Sequence, residues 1–459
     1  MPESSLIHSV NRSKKLDGGY STTGSIPFGR LLTIRKHIMS NARGCRTKSA
    51  KPTFVSINER DLNQALLWLC VFGLVLSLLR GVRSPNLWSA MHYQLDYSMG
   101  FLKRAFAGQV LSLMGVERGS YSEIFFISFA ITFISLAALV LLIIRSRLHC
   151  AAGGLFFILL SVNSYGLVYY FHTVGYLDHI LMVLFIASIF LFSRPSPWNS
   201  LIGSGLFASG ILVHEIMAVV FAPVLIVFLV VQERMRLALL LSAIIVAVTA
   251  AANFLAVKPD VTPEELNQLL QSKASFPIRT DFAYILYMDG AEHFRAHIGR
   301  VLSPGFLWAF LPSLILFCSI SFILMKASLT AISLARVRDD GIAKPRIGFV
   351  LARYAIPIAC FSPLLLNFVA WDAHRWNALT VNVSLCCLCM IRIAKPSAPP
   401  PCPTKATVVV GLMFMFMNLT ANYGMFDNYV AEGAPFIQHI DYVRGVIEGT
   451  RAFPQVPPR

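Results

Sequence analysis

The stretch SEIFFISFAITFISLAALVLLII, residues 122–144, carries one charged residue, Glu123, among apolar and hydroxyl side chains. As a helix rising 1.5 Å per residue it is about 34 Å long, enough for the roughly 30 Å hydrocarbon core of a bilayer. In that medium the backbone N–H and C=O groups find no water, and a helix satisfies them within one segment. Working outward gives eleven candidate spans, at about 62–79, 122–144, 150–171, 179–193, 198–213, 216–232, 237–257, 304–325, 347–370, 376–391 and 406–423. The segments at 179–193 and 198–213 are short and would insert only against neighbouring helices. Periodicity adds nothing within these runs, because a helix among lipid and other helices is apolar on every side.

Composition agrees with this reading. Of 459 residues 56% are hydrophobic and 14% charged, and 34 are Phe. Soluble domains carry about 25% charged residues, so a water-bathed globule is excluded, and so is a largely disordered chain. A net charge of +16 invites a nucleic-acid reading until the charges are placed. With the N-terminus in the cytoplasm, 25 of the 39 Lys and Arg fall inside and 14 outside, whereas 7 Asp and Glu fall inside and 16 outside. The inner face is then +18 and the outer face −2, which is the positive-inside pattern. The expectation is an all-α polytopic membrane bundle of about eleven transmembrane helices, N-terminus cytoplasmic and C-terminus external. Its partner is the lipid bilayer, with no nucleic acid.

Around the transmembrane body, 62–423, the sequence predicts a disordered basic cytoplasmic tail at 1–61 and an external C-terminal segment at 424–459. Met39 offers a second start. The tail has no apolar core of a cleaved signal peptide. The run Ala394–Thr404 (AKPSAPPPCPT) reads as a stiff linker. Cys386, Cys387 and Cys389 fall inside a span, where a thiol behaves as a small apolar group and a zinc site is not expected. No outer loop contains Asn-x-Ser/Thr, which fits a bacterial inner (plasma) membrane.

Two outer loops are long, 80–121 and 258–303; long loops in a compact body tend to carry function. In the first, Leu87–Gly108 (LWSAMHYQLDYSMGFLKRAFAG) interleaves aromatic and charged residues like a helix lying in the headgroup plane. Ionisable residues near spans are expensive and often functional. Four groups qualify: Asp96 with Lys103 and Arg104; Asp178 with His179; His214 with Glu215; and Asp372 with His374 and Arg375. The topology, built from Lys and Arg, puts all four at the external face. By contrast, Asp260, Glu264 and Glu265 (PDVTPEEL) read as a helix N-terminus, and Glu292, His293, Arg295 and His297 as a solvated amphipathic face.

Carboxylates, imidazoles and guanidinium groups at one membrane surface suit a lipid-borne donor. A carboxylate deprotonates an acceptor hydroxyl, and a cation stabilises the departing phosphate. The sequence has no P-loop, dinucleotide fingerprint or G-x-S-x-G elbow.

This layout resembles the multi-spanning glycosyltransferases of the GT-C superfamily, which take sugars from polyprenyl-phosphate carriers. The match lies in Asp96 in a long first outer loop, Asp178 at the turn between spans 3 and 4, and the long loop 258–303. DYSMGFLKRAFAG (Asp96–Gly108), HE and DAHRW are also similar to uncharacterised bacterial membrane proteins associated with envelope polysaccharide. The resemblance implies an inverting sugar transfer on the outer face from a polyprenyl-phosphate-linked sugar. Asp96 would be the base, and Asp178 would orient the acceptor or a divalent cation, the one cofactor implied. Arg375 with Lys103 or Arg104 would hold the carrier phosphate, and His214 and Glu215 would line the sugar pocket, beside His179, Asp372 and His374. Three rivals differ in their product: a polysaccharide polymerase or ligase makes a ladder of repeats, a transporter or flippase moves lipid unchanged, and a scaffold does neither.

Overall fold

The structure, a computed structural model, describes residues 59–81, 84–116, 120–255, 261–288, 290–339, 347–368, 372–396 and 401–420. The tail up to residue 58, Asp260, Trp371, the middle of the Pro-rich linker and the segment 424–459 lie outside the described residues.

Among the described residues all regular structure is helical. In chain order the helices are α1 Glu59–Gly81, α2 Leu87–His92, α3 Phe106–Leu113, α4 Tyr121–Ser146, α5 Ala152–Val162 and α6 Tyr165–His172. There follow α7 Asp178–Phe192, α8 Pro197–Val213, α9 Ile216–Val220, α10 Ala222–Val231, α11 Met235–Phe254 and α12 Pro263–Lys273. The last are α13 Asp281–Tyr287, α14 Gly290–Val301, α15 Pro304–Asp339, α16 Ile347–Phe361, α17 Ala373–Ala394 and α18 Lys405–Thr420. Among the described residues each of the eleven apolar segments is mainly helical. Six helices, at α1, α4, α11, α15, α16 with its following 3-10 turn, and α17, are long and apolar enough to cross a membrane unaided.

Several segments depart from straight spans for local reasons. The run 150–171 is split into α5 and α6, bent by 49°. At the break the Asn163 side chain donates to Leu159 O and Ser164 Oγ donates to Ser161 O, capping α5. The run 216–232 divides at Phe221, just before Pro223. In α16, Pro357 removes an internal backbone donor, and Ser362–Phe368 continues as a 3-10 turn. α15 continues past the expected end at 325 to Asp339, so Lys326 and Arg336 lie on the helix itself.

Small residues set the closest helix contact. Gly73, Ser77 and Gly81 recur every four residues on α1 and are buried. A Cβ at Gly81 would lie 2.2 Å from Val168 O, a backbone atom, so no larger residue fits there. Ser77 Oγ donates to Val162 O across the same seam at 2.5 Å. Small residues at such spacing let membrane helices approach closely where no hydrophobic force draws them together. The bundle closes around α17, of which 89% of the best apolar window is buried. The polar groups of α17 bond sideways. Asn377 accepts from Asn367 at 3.0 Å and donates to Ser313 at 3.1 Å, and Thr380 accepts from Ser321 at 2.9 Å.

The two long loops form a second core. Leu87, Met91, Tyr93, Leu95 and Leu102 of the first pack against Leu266, Leu270, Phe276 and Phe282 of the second. This corrects the expectation of one interfacial helix over Leu87–Gly108. Asn86 caps the short α2 by accepting from Ser89 N, Asp96 starts a 3-10 turn at Tyr97–Met99, and Gly100 has φ 95°, a value that side chains disfavour. The apolar residues therefore face a folded cap and not a lipid surface. In the second loop, the expected helix start is present: Thr262 and Glu265 form a reciprocal capping box on α12. On α14, Glu292 and Arg295 are exposed as expected, but His297 is buried at 1% exposure.

Candidate functional site

Members of all four polar groups come together at this end of the bundle: Arg104, Asp178, His214, Glu215, Asp372 and Arg375. Asp178 opens α7, and Arg375 lies in the first turn of α17. Arg375 Nε and Nη2 donate to the two carboxylate oxygens of Asp178 at 2.6 and 2.5 Å. Its Nη1 donates to Asp372 Oδ2 at 3.2 Å. The Arg375 and Asp178 side chains are 6% and 4% exposed. The guanidinium also sits over the rings of Tyr176 and Trp376, 4.6 and 4.4 Å from their centroids. A buried pair of this kind is held by fork-to-carboxylate geometry and aromatic faces, which offset the loss of water.

A second pair lies beside it. Arg104 Nη2 donates to Glu215 Oε1 at 2.5 Å and its Nε to Oε2 at 3.3 Å. Glu215 Oε2 also lies 3.0 Å from His214 Nδ1. The backbone N–H of Ile216 also lies 3.4 Å from Nδ1, and the tautomer that donates Nδ1–H to the carboxylate keeps the ring's lone pair on Nε2. Arg104 has φ 65°, a left-handed conformation rare outside glycine, and the Glu215 fork holds it there. The chain brings His214 and Glu215 to this point because α8 ends at Val213 and α9 begins at Ile216, leaving a two-residue hairpin.

His92, which the sequence analysis did not single out, joins these groups. Its Nδ1 donates to Trp88 O at 2.8 Å, and its ring packs edge-on to Trp88 and Phe282. Burial, then the charge of Arg104, with smaller effects of His214 and Arg375, push its pKa down to about 3. His214 is lowered by burial and Arg104, partly offset by Glu215. For Glu215, burial acts upward, but Arg104 and His214 outweigh it and hold the carboxyl well below its usual range. The signal for His92 was its position four residues before Asp96 in the same aromatic run, MHYQLD.

The remaining expected residues have plainer places. Asp96 is buried and caps the 3-10 turn, accepting from Ser98 N at 2.9 Å and from the Ser98 hydroxyl. His179 bonds Tyr170 O at 3.0 Å in the bundle interior, and His374 bonds Ser313 Oγ at 2.8 Å. Lys103 lines a narrow cleft with Tyr97, Phe101, Arg104 and Glu215, with room of about 10 Å³, near the space of one water. Among the described residues no three His, Cys, Asp or Glu side chains converge to hold a metal ion.

These shifts carry a pH prediction with a definite sign. The folded pKa values of His92 and His214 lie below their ordinary value, so folding favours the neutral rings. Their stabilising contribution is complete above about pH 6.5 and declines as pH falls through it, by up to about 1.4 kcal/mol per pH unit per ring. The melting temperature of the purified protein in micelles should fall steadily from pH 7 to pH 4.5, and His92→Gln should flatten that slope. A melting temperature constant over this range would contradict the buried placement of both rings.

Comparison of the chain with protein-family models, with curated proteins and with solved structures gives no match.

Proposed function

We propose that the chain is a multi-pass membrane glycosyltransferase of GT-C type. It crosses the membrane eleven times, N-terminus inside, and works on the outer face of a bacterial inner membrane. It moves a sugar from a polyprenyl-phosphate carrier to an acceptor hydroxyl. The observation that supports this reading best is the union of His92, Arg104, Asp178, His214–Glu215 and Arg375 at one end of an otherwise apolar bundle, beneath a cap made by both long loops.

In the reaction the acceptor oxygen bonds to the anomeric carbon. The bond from that carbon to the phosphate oxygen breaks, and the hydroxyl proton passes to a base. His214 suits the base better than Asp96 does: its ring is unprotonated at neutral pH, and Glu215 orients it. Asp96 then shapes the turn leading to Lys103 and Arg104. Lys103 makes no ion pair among the described residues and suits the departing polyprenyl phosphate. Arg375, which the resemblance assigned to the phosphate, already serves two carboxylates. It is better assigned to holding α7 and α17 together.

The test is transfer by the purified chain in liposomes, using a panel of polyprenyl phosphates carrying a radiolabelled sugar and a hydroxyl acceptor. A single labelled sugar on the acceptor, with free polyprenyl phosphate released, is the expected result. A ladder of repeats would make the protein a polymerase. Intact donor appearing in the opposite leaflet, without transfer, would make it a flippase.

A further inference from the structure

At the far end of the bundle from the cap lies a second site of different character. α4 runs from Tyr121, whose hydroxyl bonds Pro85 O near the cap, down to Ser146, and α17 runs from Arg375 down to Ala394. Near their lower ends a groove of about 410 Å³ opens between α1, α4 and α5. Its walls are almost wholly apolar, with Leu74, Leu139, Val140 and Leu155 among them, and His149, Ser161 and Asn382 as the polar exceptions. The volume falls within the roughly 300–1,000 Å³ of ordinary ligand sites.

Two side chains at this end carry unpaired buried nitrogens. Arg392 is 5% exposed, and its Nε and Nη1 are buried with no hydrogen-bond partner among the described residues. His149, which lines the groove, has a buried Nδ1 that is likewise unpaired. The two are linked through the 3-10 turn Leu148–Cys150: His149 Nε2 lies 3.5 Å from Cys150 Sγ, and Arg392 is in electrostatic reach of Cys150 and of Arg147. Leu385, on the groove wall, is two helical turns before Arg392 on one face of α17. A buried guanidinium with two unpaired nitrogens is costly, so Arg392 calls for an anion, and the groove, which His149 lines, calls for a hydrocarbon chain.

We infer that this end of the bundle binds one anionic phospholipid, an acyl chain in the groove and the phosphate against Arg392 and His149. Both parts of the ligand follow from the placement: a free phosphate would leave the groove unused, and a zwitterionic lipid, whose own choline already balances its phosphate, would answer the charge of Arg392 less well than a phospholipid of net negative charge. The site is separate from the cap cluster and does not depend on the transferase reading.

The test uses the full chain, delipidated in neutral detergent and titrated with dioleoyl phosphatidylglycerol or dioleoyl phosphatidylcholine, with bound lipid counted by native mass spectrometry. One phosphatidylglycerol should be retained at least ten-fold more tightly than phosphatidylcholine. Arg392→Gln should erase that preference, and His149→Gln should reduce it several-fold while sparing the buried guanidinium, which covers the case in which the Arg392 variant does not fold. Val140→Trp, filling the groove, should weaken both lipids. Equal binding of the two lipids by the unaltered protein would overturn the inference. So would an undiminished preference in His149→Gln together with a folded Arg392→Gln, or stabilisation by inorganic phosphate alone equal to that by the lipid.

Discussion

Arg375→Ala should lower the unfolding free energy by about 3–5 kcal/mol, the range for removing one partner of a buried ion pair. The magnitude comes from what is left behind. Asp178, 4% exposed, would lose both of the donors that its carboxylate now accepts from, at 2.5 and 2.6 Å. Asp372, 25% exposed, can recover water and adds little to the loss. The rings of Tyr176 and Trp376 would also lose the cation between them. Unfolding in mixed micelles measures the effect. The companion experiment is Arg375→Met with Asp178→Leu, which removes both charges and keeps most of the volume. That double variant should recover most of the loss, because the penalty comes from the unpaired charge and not from the missing attraction. A loss below about 1 kcal/mol in Arg375→Ala would mean that the pair is not buried as described.

Much of the fold was readable because membrane insertion imposes simple rules. Runs such as 122–144 satisfy their backbone groups within one segment as helices, and six of the helices are long and apolar enough to cross a membrane. The two long loops were found by counting the residues between runs. What the runs could not show is where a helix breaks. The bend between α5 and α6 depends on Asn163 and Ser164 turning their side chains onto nearby carbonyls, a choice their identity permits but does not compel. The cap is hidden from the sequence for a related reason. An aromatic, weakly charged stretch suits a lipid interface and a protein core equally well, and only the second loop, 160 or more residues later, decides between them.

The site was legible as a list of residues and not as a set of pairings. Asp178 and Arg375 are 197 positions apart, and Arg104 and Glu215 are 111 apart, so no spacing rule links them. The expectation that Arg375 binds a phosphate came with the resemblance. Its use on two carboxylates depends on α7 and α17 starting side by side. For His92 the sequence offers only its place four residues before Asp96, within an aromatic run that would suit a core histidine equally well. Its importance appears only when Arg104, His214 and Arg375 are seen to act on it together.

The sharpest test of the proposed chemistry compares three substitutions, of which His214→Gln and Asp96→Asn decide the base. His214→Gln should reduce the rate of sugar transfer by about 10²–10⁴-fold, the usual contribution of a general base. Glu215→Gln should cost less, because the neutral amide still meets the ring but no longer favours its charged form, and it should shift the pH–rate profile. Asp96→Asn should stay within a few-fold of the unaltered rate, because an amide oxygen still accepts from Ser98 and keeps the turn that leads to Lys103 and Arg104. Melting temperatures of the His214 and Asp96 variants should stay close to that of the unaltered protein, which separates lost chemistry from lost folding. The opposite pattern, in which Asp96→Asn is inactive and His214→Gln active, would move the base to Asp96 and leave His214 as a wall of the sugar pocket. The single rate comparison therefore decides which of two groups in one small cluster takes the proton.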